Sequence, residues 1–302
     1  MRLLIAGWQG QVARALVEAA PQRPEIKALA LGRPALDLCA PATIAGALSD
    51  GKPDVAINTA AYTAVDAAET DADAARRLNA DGAGLIAKEA ARRGAVIIHL
   101  STDYVFDGSA QVAYKPGDTP NPQSVYGVTK LAGEAAVADA NPRHLIVRTS
   151  WVHGPPATIS VTRLWRLAET RDEVRVVADQ TGCPTYAPHL AEALLTMAEK
   201  SRGLPDGASE WGIYHAAGTG QTSWAEFARA IFAASKALGG PSANVIDIGT
   251  TDYPTPAPRP AFSVLDCSEL ACTFGVQLPP WEEGVLACVA RCLRDAGDVG
   301  SA

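Results

Sequence analysis

The first twenty residues constrain the fold most. Arg2-Leu3-Leu4-Ile5-Ala6 is a short apolar run, of the kind that forms a strand covered on both faces of a parallel sheet. Gly7-Trp8-Gln9-Gly10-Gln11-Val12-Ala13 follows, and residues 14–20 read as helix. Strand, glycine turn and helix together form the setting of a dinucleotide-binding fingerprint. Gly7 makes the tight turn, and Gly10 lets the backbone approach a pyrophosphate seated on the helix N-terminus. Ala13 stands where a third glycine is usual, a position that serves helix–strand packing and tolerates alanine. The spacing is G-x-x-G-x-x-A rather than G-x-G-x-x-G. An ordinary βα turn is the alternative on this motif alone.

The same strand pattern recurs downstream. A second strand is expected at 26–31, ending at Gly32-Arg33-Pro34. An acidic residue there would bind a ribose 2′-hydroxyl; Arg33 is positive and suits a 2′-phosphate, which favours NADPH with NADH as the alternative. A solvated surface arginine is the competing reading. Asp37-Leu38 would border the adenine. Residues 54–58 form the next strand, and the small residues of Thr59-Ala60-Ala61-Tyr62-Thr63 would let the chain run close to a cofactor. Residues 95–100 give a further buried strand with Ser101-Thr102-Asp103 at its C-terminal end, the edge where open parallel sheets bind ligands. Residues 145–148 give another, ending at Thr149-Ser150-Trp151.

Tyr126-Gly127-Val128-Thr129-Lys130 carries the chemistry. A tyrosine and a lysine four apart share one helix face. A phenol titrates near ~10 in water, too high for proton exchange at neutral pH. An ammonium beside it is expected to lower that value and make the pair a general acid/base for a carbonyl/alcohol couple. Thr102 can offer a hydroxyl to the same oxygen. Taken alone, Y-x-x-x-K is more often a surface pair; its weight here comes from the fingerprint upstream.

Composition narrows the partners. The net charge of −7 on 302 residues argues against nucleic acid. No apolar run approaches the ~18–20 residues of a membrane span. Met1 runs straight into a core strand, which leaves no signal peptide and implies the cytoplasm. The cysteines, Cys39, Cys183, Cys267, Cys272, Cys288 and Cys292, form no C-x-x-C and read as buried small hydrophobes. Cys288 and Cys292 are spaced to share a helix face. The five histidines are dispersed, so no zinc site is expected. After about residue 151 the strand–helix alternation gives way to proline-rich connections, with helices expected at 161–169, 189–199, 223–238 and 281–293 and strands at 174–177 and 212–216. The expected architecture is α/β: a Rossmann-type doubly wound parallel sheet over residues 1–151 with later returning segments, and a smaller α/β substrate lobe built mainly from 152–302.

These residues resemble an extended short-chain dehydrogenase/reductase, and within it the dTDP-4-dehydrorhamnose reductase family. The resemblance runs nearly end to end. It is carried by Gly7-x-x-Gly10-Gln11-Val12, Asn58-Thr59-Ala60-Ala61-Tyr62-Thr63-Ala64-Val65-Asp66-x-Ala68-Glu69, and Ser101-Thr102-Asp103-Tyr104-Val105-Phe106-Asp107-Gly108. Tyr126-Gly127-x-x-Lys130-x-x-Gly133-Glu134, Arg148-Thr149-Ser150-Trp151-Val152, Asp179-Gln180-x-Gly182-x-Pro184-Thr185 and Arg259-Pro260-x-x-Ser263 continue it. It implies an NAD(P)H-dependent reduction of dTDP-4-dehydro-6-deoxy-L-mannose at C4, on the route to activated L-rhamnose for surface polysaccharide. It makes Tyr126 the proton donor, Lys130 its partner and a ribose ligand, and Thr102 the residue tuning the phenol. Gly10, Gln11 and Val12 become pyrophosphate contacts, with Asp37 and Leu38 near the adenosine and Ala60, Ala61 and Tyr62 along the nicotinamide half. Thr102, Asp103 and Trp151 become sugar-nucleotide contacts, and Arg259 either meets the diphosphate or ties down its own proline-rich loop. A homodimer is compatible with the sequence, and no apolar stripe marks its interface.

One segment departs from the family. Where Tyr-Gly and then an Asn-Phe pair are usual, the chain reads His153-Gly154-Pro155-Pro156-Ala157-Thr158-Ile159-Ser160. Ile159 and Ser160 take the Asn-Phe positions, which puts the exact sugar and base in question. Some members use magnesium; no carboxylate cluster here places one. Three alternatives follow. A dehydratase needs Thr-Asp-Glu at the strand end, whereas Tyr104 follows Thr102-Asp103 here; a 4-epimerase is harder to exclude by sequence. A reductase of another 4-keto-6-deoxy sugar nucleotide remains open. A non-catalytic regulatory subunit of the same fold would be expected to lose part of the set, and Thr102, Tyr126 and Lys130 are all retained.

Overall fold

The computed structural model describes residues 1–155 and 161–299. The positions 156–160, including Ile159 and Ser160, lie outside the described residues. The first half alternates β1 (Arg2–Ala6), α1 (Gln11–Ala19), β2 (Lys27–Leu31), α2 (Pro41–Gly51), β3 (Val55–Asn58), α3 (Gly82–Ala91), β4 (Val96–Thr102), α4 (Val125–Ala140) and β5 (His144–Thr149). The second adds α5 (Val161–Ala168), β6 (Glu173–Val177), α6 (Ala187–Ser201), β7 (Gly212–His215), α7 (Trp224–Ala237), β8 (Asn244–Ile248), α8 (Ser268–Phe274) and α9 (Trp281–Val299).

Six strands form one parallel sheet in the order β7-β5-β4-β3-β1-β2. The period of two along each strand decides which residues face which layer. In β1, Leu3 and Ile5 face α1 and α6, where Ala13, Leu16, Leu190 and Leu194 are buried. Leu4 and Ala6 face α2 and α3, where Ile44, Leu48, Ile86 and Ala90 are buried. The chain leaves β1 for β2 on one side and returns to β3 on the other, so the winding reverses between β1 and β3. Ligands of open α/β sheets bind in the crevice such a reversal opens at the strand C-termini.

A second core gathers Val174, Phe227, Ile231, Trp281, Val285 and Val289 from β6, α7 and α9. Here β6 pairs in parallel with β8. Helix α6 and strand β7 follow in sequence but pack with the large sheet, so the second half of the chain is shared between the two cores. The cysteine expectation needs correction. Cys183 and Cys288 are buried, but Cys39 and Cys272 are exposed, one in the loop after β2 and the other on the outer face of α8. Cys288 and Cys292 do share the inner face of α9. Among the described residues no helix is long and apolar enough to cross a membrane.

Helix α4 is held unusually firmly. Ser124 accepts the Gly127 N–H at 3.1 Å as its N-cap, and Glu69 Oε1 accepts the Val125 N–H at 2.9 Å. Two of the four orphan donors of the helix start are thereby satisfied. Two turns further on, Glu134 is buried and makes a bidentate pair with the buried Arg148 of β5, at 2.9 and 2.7 Å. Ser101 of β4 donates to the same carboxylate. Gly133 allows the close approach on the other side, since a Cβ there would lie 2.0 Å from the Asn79 carbonyl oxygen.

Removing one partner of a buried pair leaves an uncompensated charge, at about 3–5 kcal/mol. Arg148→Met is therefore expected to lower unfolding stability by that order in urea titration. Adding Glu134→Leu should restore much of it. A double variant as unstable as the single one would show that the unpaired carboxylate is not the cause.

Candidate active site

The C-terminal ends of β1, β3 and β4 and the start of α4 converge on one crevice. The Gly7 turn lies at its centre. Gly7 has φ +108°, and a Cβ there would stand 2.6 Å from Thr59 Oγ1, so both the backbone and the neighbour require glycine. Gly10 differs, because a Cβ there would meet nothing within 4 Å. The protein leaves that space open directly over the N-terminus of α1. Gln11 Oε1 is buried nearby without a hydrogen-bond partner. The open space at this helix N-terminus fits a bound pyrophosphate, to which Gln11 can offer its N–H groups but not Oε1, which only accepts. Val12 and Ala13 are buried against the sheet, so Val12 can offer only its backbone.

The adenosine end is more mixed. Arg33 is exposed just beyond β2, free to meet an anion. Asp37 Oδ1 accepts the Cys39 N–H at 2.9 Å and shapes its own turn. Leu38 is buried, and a Cβ on Gly82 would clash with it at 2.7 Å, so its side chain serves the core. Along the other half, Ala60 N–H donates to Asn58 Oδ1 at 3.1 Å. Tyr62 is clasped by Asn79, which accepts its N–H at 2.7 Å and donates to its carbonyl at 3.2 Å. Asn79 sits in a single π-turn, 77–81, and also donates to Thr129 of α4 at 3.0 Å. Such turns occur often at functional sites; this one fastens the 60–62 loop to α4.

Thr102 ends β4, and Tyr126 lies in the first turn of α4 beside it. Thr102 Oγ1 donates to Asp103 Oδ1 at 3.0 Å and accepts the Tyr104 N–H at 3.2 Å. It also hydrogen-bonds the Tyr126 hydroxyl, where its effect is to favour the phenolate. Burial raises the Tyr126 phenol to about 12; Thr102 pulls it down and Asp103 pushes it further up. Asp103 is buried, accepts from Ser150 at 2.9 Å, and also hydrogen-bonds Ser263. Burial raises its carboxyl despite those donors. Its carboxylate is thus turned into the protein and reaches the crevice only through Thr102.

Lys130 requires a correction. The expectation was an ammonium beside the phenol, lowering it. Instead, Lys130 Nζ donates to the Leu100 carbonyl at 2.6 Å and lies 3.3 Å from His99 Nε2. Burial wins at Tyr126, and Lys130 is not among the groups that shift it. Burial also lowers Lys130 itself, to about 8, with Glu134 opposing. The histidine beside it was overlooked in the sequence. The available signal was a histidine inside the otherwise apolar run Val96-Ile97-Ile98-His99-Leu100.

Trp151 has φ +45°, strained for a bulky residue. Its indole stacks on Trp224 at 3.6 Å between centroids, and Gly182 leaves room behind it. Trp224, which opens α7, is a second residue the sequence did not single out. Arg259 donates to Asp66 at 2.8 Å and to the carbonyl of Ala257 at 3.0 Å. That geometry ties down its proline-rich loop, and a diphosphate would have to compete with Asp66. Arg259 also borders a cavity of about 180 Å³ with Tyr104, Gln123 and Ser124.

Comparison with known proteins gives a consistent result. A family model described as the RmlD substrate binding domain matches residues 1–294. The dTDP-4-dehydrorhamnose reductase of Sinorhizobium fredii is 46% identical over 298 residues, covering 99% of this chain and 100% of that protein. The Escherichia coli protein of the same name is 38% identical over 291 residues, covering 94% and 96%. The crystal structure of the Bacillus anthracis dTDP-4-dehydrorhamnose reductase in complex with NADP superposes with a TM-score of 0.88 at 33% identity, over 96% of this chain and 99% of that one. A Thermus thermophilus UDP-glucose 4-epimerase complex with NAD shares the fold, with a TM-score of 0.78 at 20% identity over 96% of this chain and 98% of that one.

The two glycines separate packing from ligand contact. Gly7→Ala should lower unfolding stability by about 1–3 kcal/mol. Gly10→Ala should unfold within ~0.5 kcal/mol of the native protein yet weaken NADPH binding about tenfold or more, roughly 1.4 kcal/mol. Fluorescence titration with NADPH reads the second effect; unchanged affinity would show that Gly10 faces no ligand.

Proposed function

The chain belongs to the dTDP-4-dehydrorhamnose reductase family, and from that premise we propose that it reduces dTDP-4-dehydro-6-deoxy-L-mannose at C4 to dTDP-L-rhamnose, with NADPH preferred. The observation that carries this is the meeting of Tyr126 and Thr102 at the C-terminal end of β4, with Lys130 buried one turn below. Gly10, Gln11 and Val12 would hold the pyrophosphate, Arg33 the 2′-phosphate, and Ala60, Ala61 and Tyr62 would line the nicotinamide half. When bound, the nicotinamide supplies the hydride.

The rest falls to the protein. Tyr126 is protonated throughout the neutral range because burial holds its phenol at about 12. It is therefore loaded as an acid for a C4 oxygen on which negative charge develops. As the proton leaves, Thr102 turns its hydroxyl towards the phenolate oxygen. The Lys130 ammonium supplies positive charge from below. The stacked pair of Trp151 and Trp224 would orient the sugar nucleotide, which is a proximity contribution.

Tyr126→Phe should lower kcat by about 10²–10⁴-fold while NADPH binding is retained, followed by loss of nicotinamide absorbance with the keto-sugar nucleotide. Folded, NADPH-binding protein with no turnover on this substrate would redirect the assignment to another 4-keto-6-deoxy sugar nucleotide. The pH trends should run in opposite directions. Rate should hold below about 8 and fall above it as Lys130 loses its cation. Stability should rise with pH from about 8 towards the ordinary lysine value, because in that window the unfolded chain binds the proton that folded Lys130 has lost.

A further inference from the structure

Asn58, His99 and Lys130 form a buried polar chain that the proposed reaction does not by itself use. Asn58 and His99 are each 1% exposed and Lys130 is 2% exposed. The direction of each hydrogen bond can be read from one end. Ala60 N–H can only donate, and it donates to Asn58 Oδ1 at 3.1 Å. The amide orientation is thereby fixed, and Asn58 Nδ2 faces His99 Nδ1 at 3.1 Å. An amide nitrogen carries only donors, so His99 Nδ1 must present its lone pair. A neutral imidazole has one N–H, which then lies on Nε2. A doubly protonated ring would set Nδ1–H against the amide N–H, and burial independently holds His99 well below its ordinary value.

His99 Nε2–H points at Lys130 Nζ, 3.3 Å away. An ammonium has three donors and no lone pair, so it would meet this N–H donor against donor. A neutral amine accepts it and still donates to the Leu100 carbonyl. We propose that Asn58 and His99 are positioning residues for Lys130: Asn58 fixes the Nε2–H tautomer of His99, which offers the lysine nitrogen a donor and disfavours its ammonium form.

The surroundings agree. From its own helix Lys130 faces Glu134, which favours the cation but is itself committed to Arg148 of β5 and Ser101 of β4. Strand β4 contributes His99 and the Leu100 carbonyl, and β3 contributes neutral Asn58. The 77–81 turn contributes neutral Asn79, which bonds Thr129 instead. Tyr126 and the buried Asp103 lie at the helix start. The tautomer of His99 thus sets how readily Lys130 carries the cation that supports the neighbouring phenolate.

The inference rests on the reductase reading for its rate readout only. Imidazole ¹⁵N NMR reports the tautomer, and Lys130 ¹³Cε NMR reports the lysine titration, both without substrate. In the native protein the His99 signals, assigned through their contacts with Lys130, should show Nε2–H. Asn58→Asp keeps an acceptor for Ala60 N–H and adds one for Nδ1–H, so the tautomer should switch. The Lys130 titration and the alkaline limb of kcat should then rise together by about one pH unit, a tenfold change in proton affinity. Asn58→Ala removes the amide donor without adding charge, and should shift both in the same direction by less; NADPH affinity serves as the control. An Nδ1–H tautomer in the native protein would overturn the proposal without any variant. So would a switched tautomer with an unmoved lysine, and a shift in Asn58→Asp with none in Asn58→Ala would assign the effect to plain charge. If no keto-sugar nucleotide is turned over, the reductase reading fails while the NMR arms still decide this one.

Discussion

The ion pair between Arg148 and Glu134 is the contact on which the site depends. It joins the middle of α4 to β5, and Ser101 extends the clamp to β4. These elements carry Thr102, Tyr126 and Lys130 and lead into Trp151. Such a pair is a poor source of net stability, because desolvating two charges offsets most of their attraction. Its geometric effect is larger. A bidentate guanidinium–carboxylate contact fixes two planes relative to each other, so α4 can neither slide along nor rotate over the strands. The caps at Ser124 and Glu69 fix the same helix at its start. A helix pinned at both places holds a phenol within hydrogen-bond reach of Thr102 without help from a ligand.

Glycine is used where α4 must come closest to its neighbours. Gly127 packs onto the turn after β4, where a Cβ would lie 2.2 Å from the Tyr104 carbonyl oxygen. Gly133 does the same against the 77–81 turn. The motif Tyr126-Gly127-x-x-Lys130-x-x-Gly133-Glu134 is thus one packing unit. Its glycines bring the helix in, its glutamate locks it, and its tyrosine and lysine occupy the positions this creates.

The fold was largely legible because its signals are local. Buried parallel strands are short apolar runs, and the Gly7 turn follows the first of them directly. Sites that depend on backbone, such as Gly10 over the start of α1, were legible for the same reason. What could not be read was the direction of side chains. Y-x-x-x-K puts tyrosine and lysine on one helix face, but burial and the Leu100 carbonyl decide where the ammonium goes. Arg259 is another case, since only the folded chain brings Asp66 to it from nearly two hundred residues away. His99 was passed over because it forms no cluster in sequence; its partners come from β3 and α4. Trp224 joins Trp151 only when α7 folds back over the strand ends.

The acid and the lysine of this site illustrate how one environment separates two ionisable groups. Desolvation favours the neutral form of each, raising the phenol and lowering the ammonium. The hydrogen bonds then act with opposite effect at the two residues. At Tyr126, Thr102 supports the phenolate and limits the rise. At Lys130, the orientation set by Ala60 and Asn58 leaves the imidazole offering a donor, which reinforces the fall. The resting site therefore keeps the phenol protonated and leaves the lysine titrating just above neutrality, the arrangement suited to giving a proton to a substrate that is being reduced. Once the phenolate forms, the Lys130 cation one turn away offsets its charge, and that support is lost as pH rises through the lysine's lowered value.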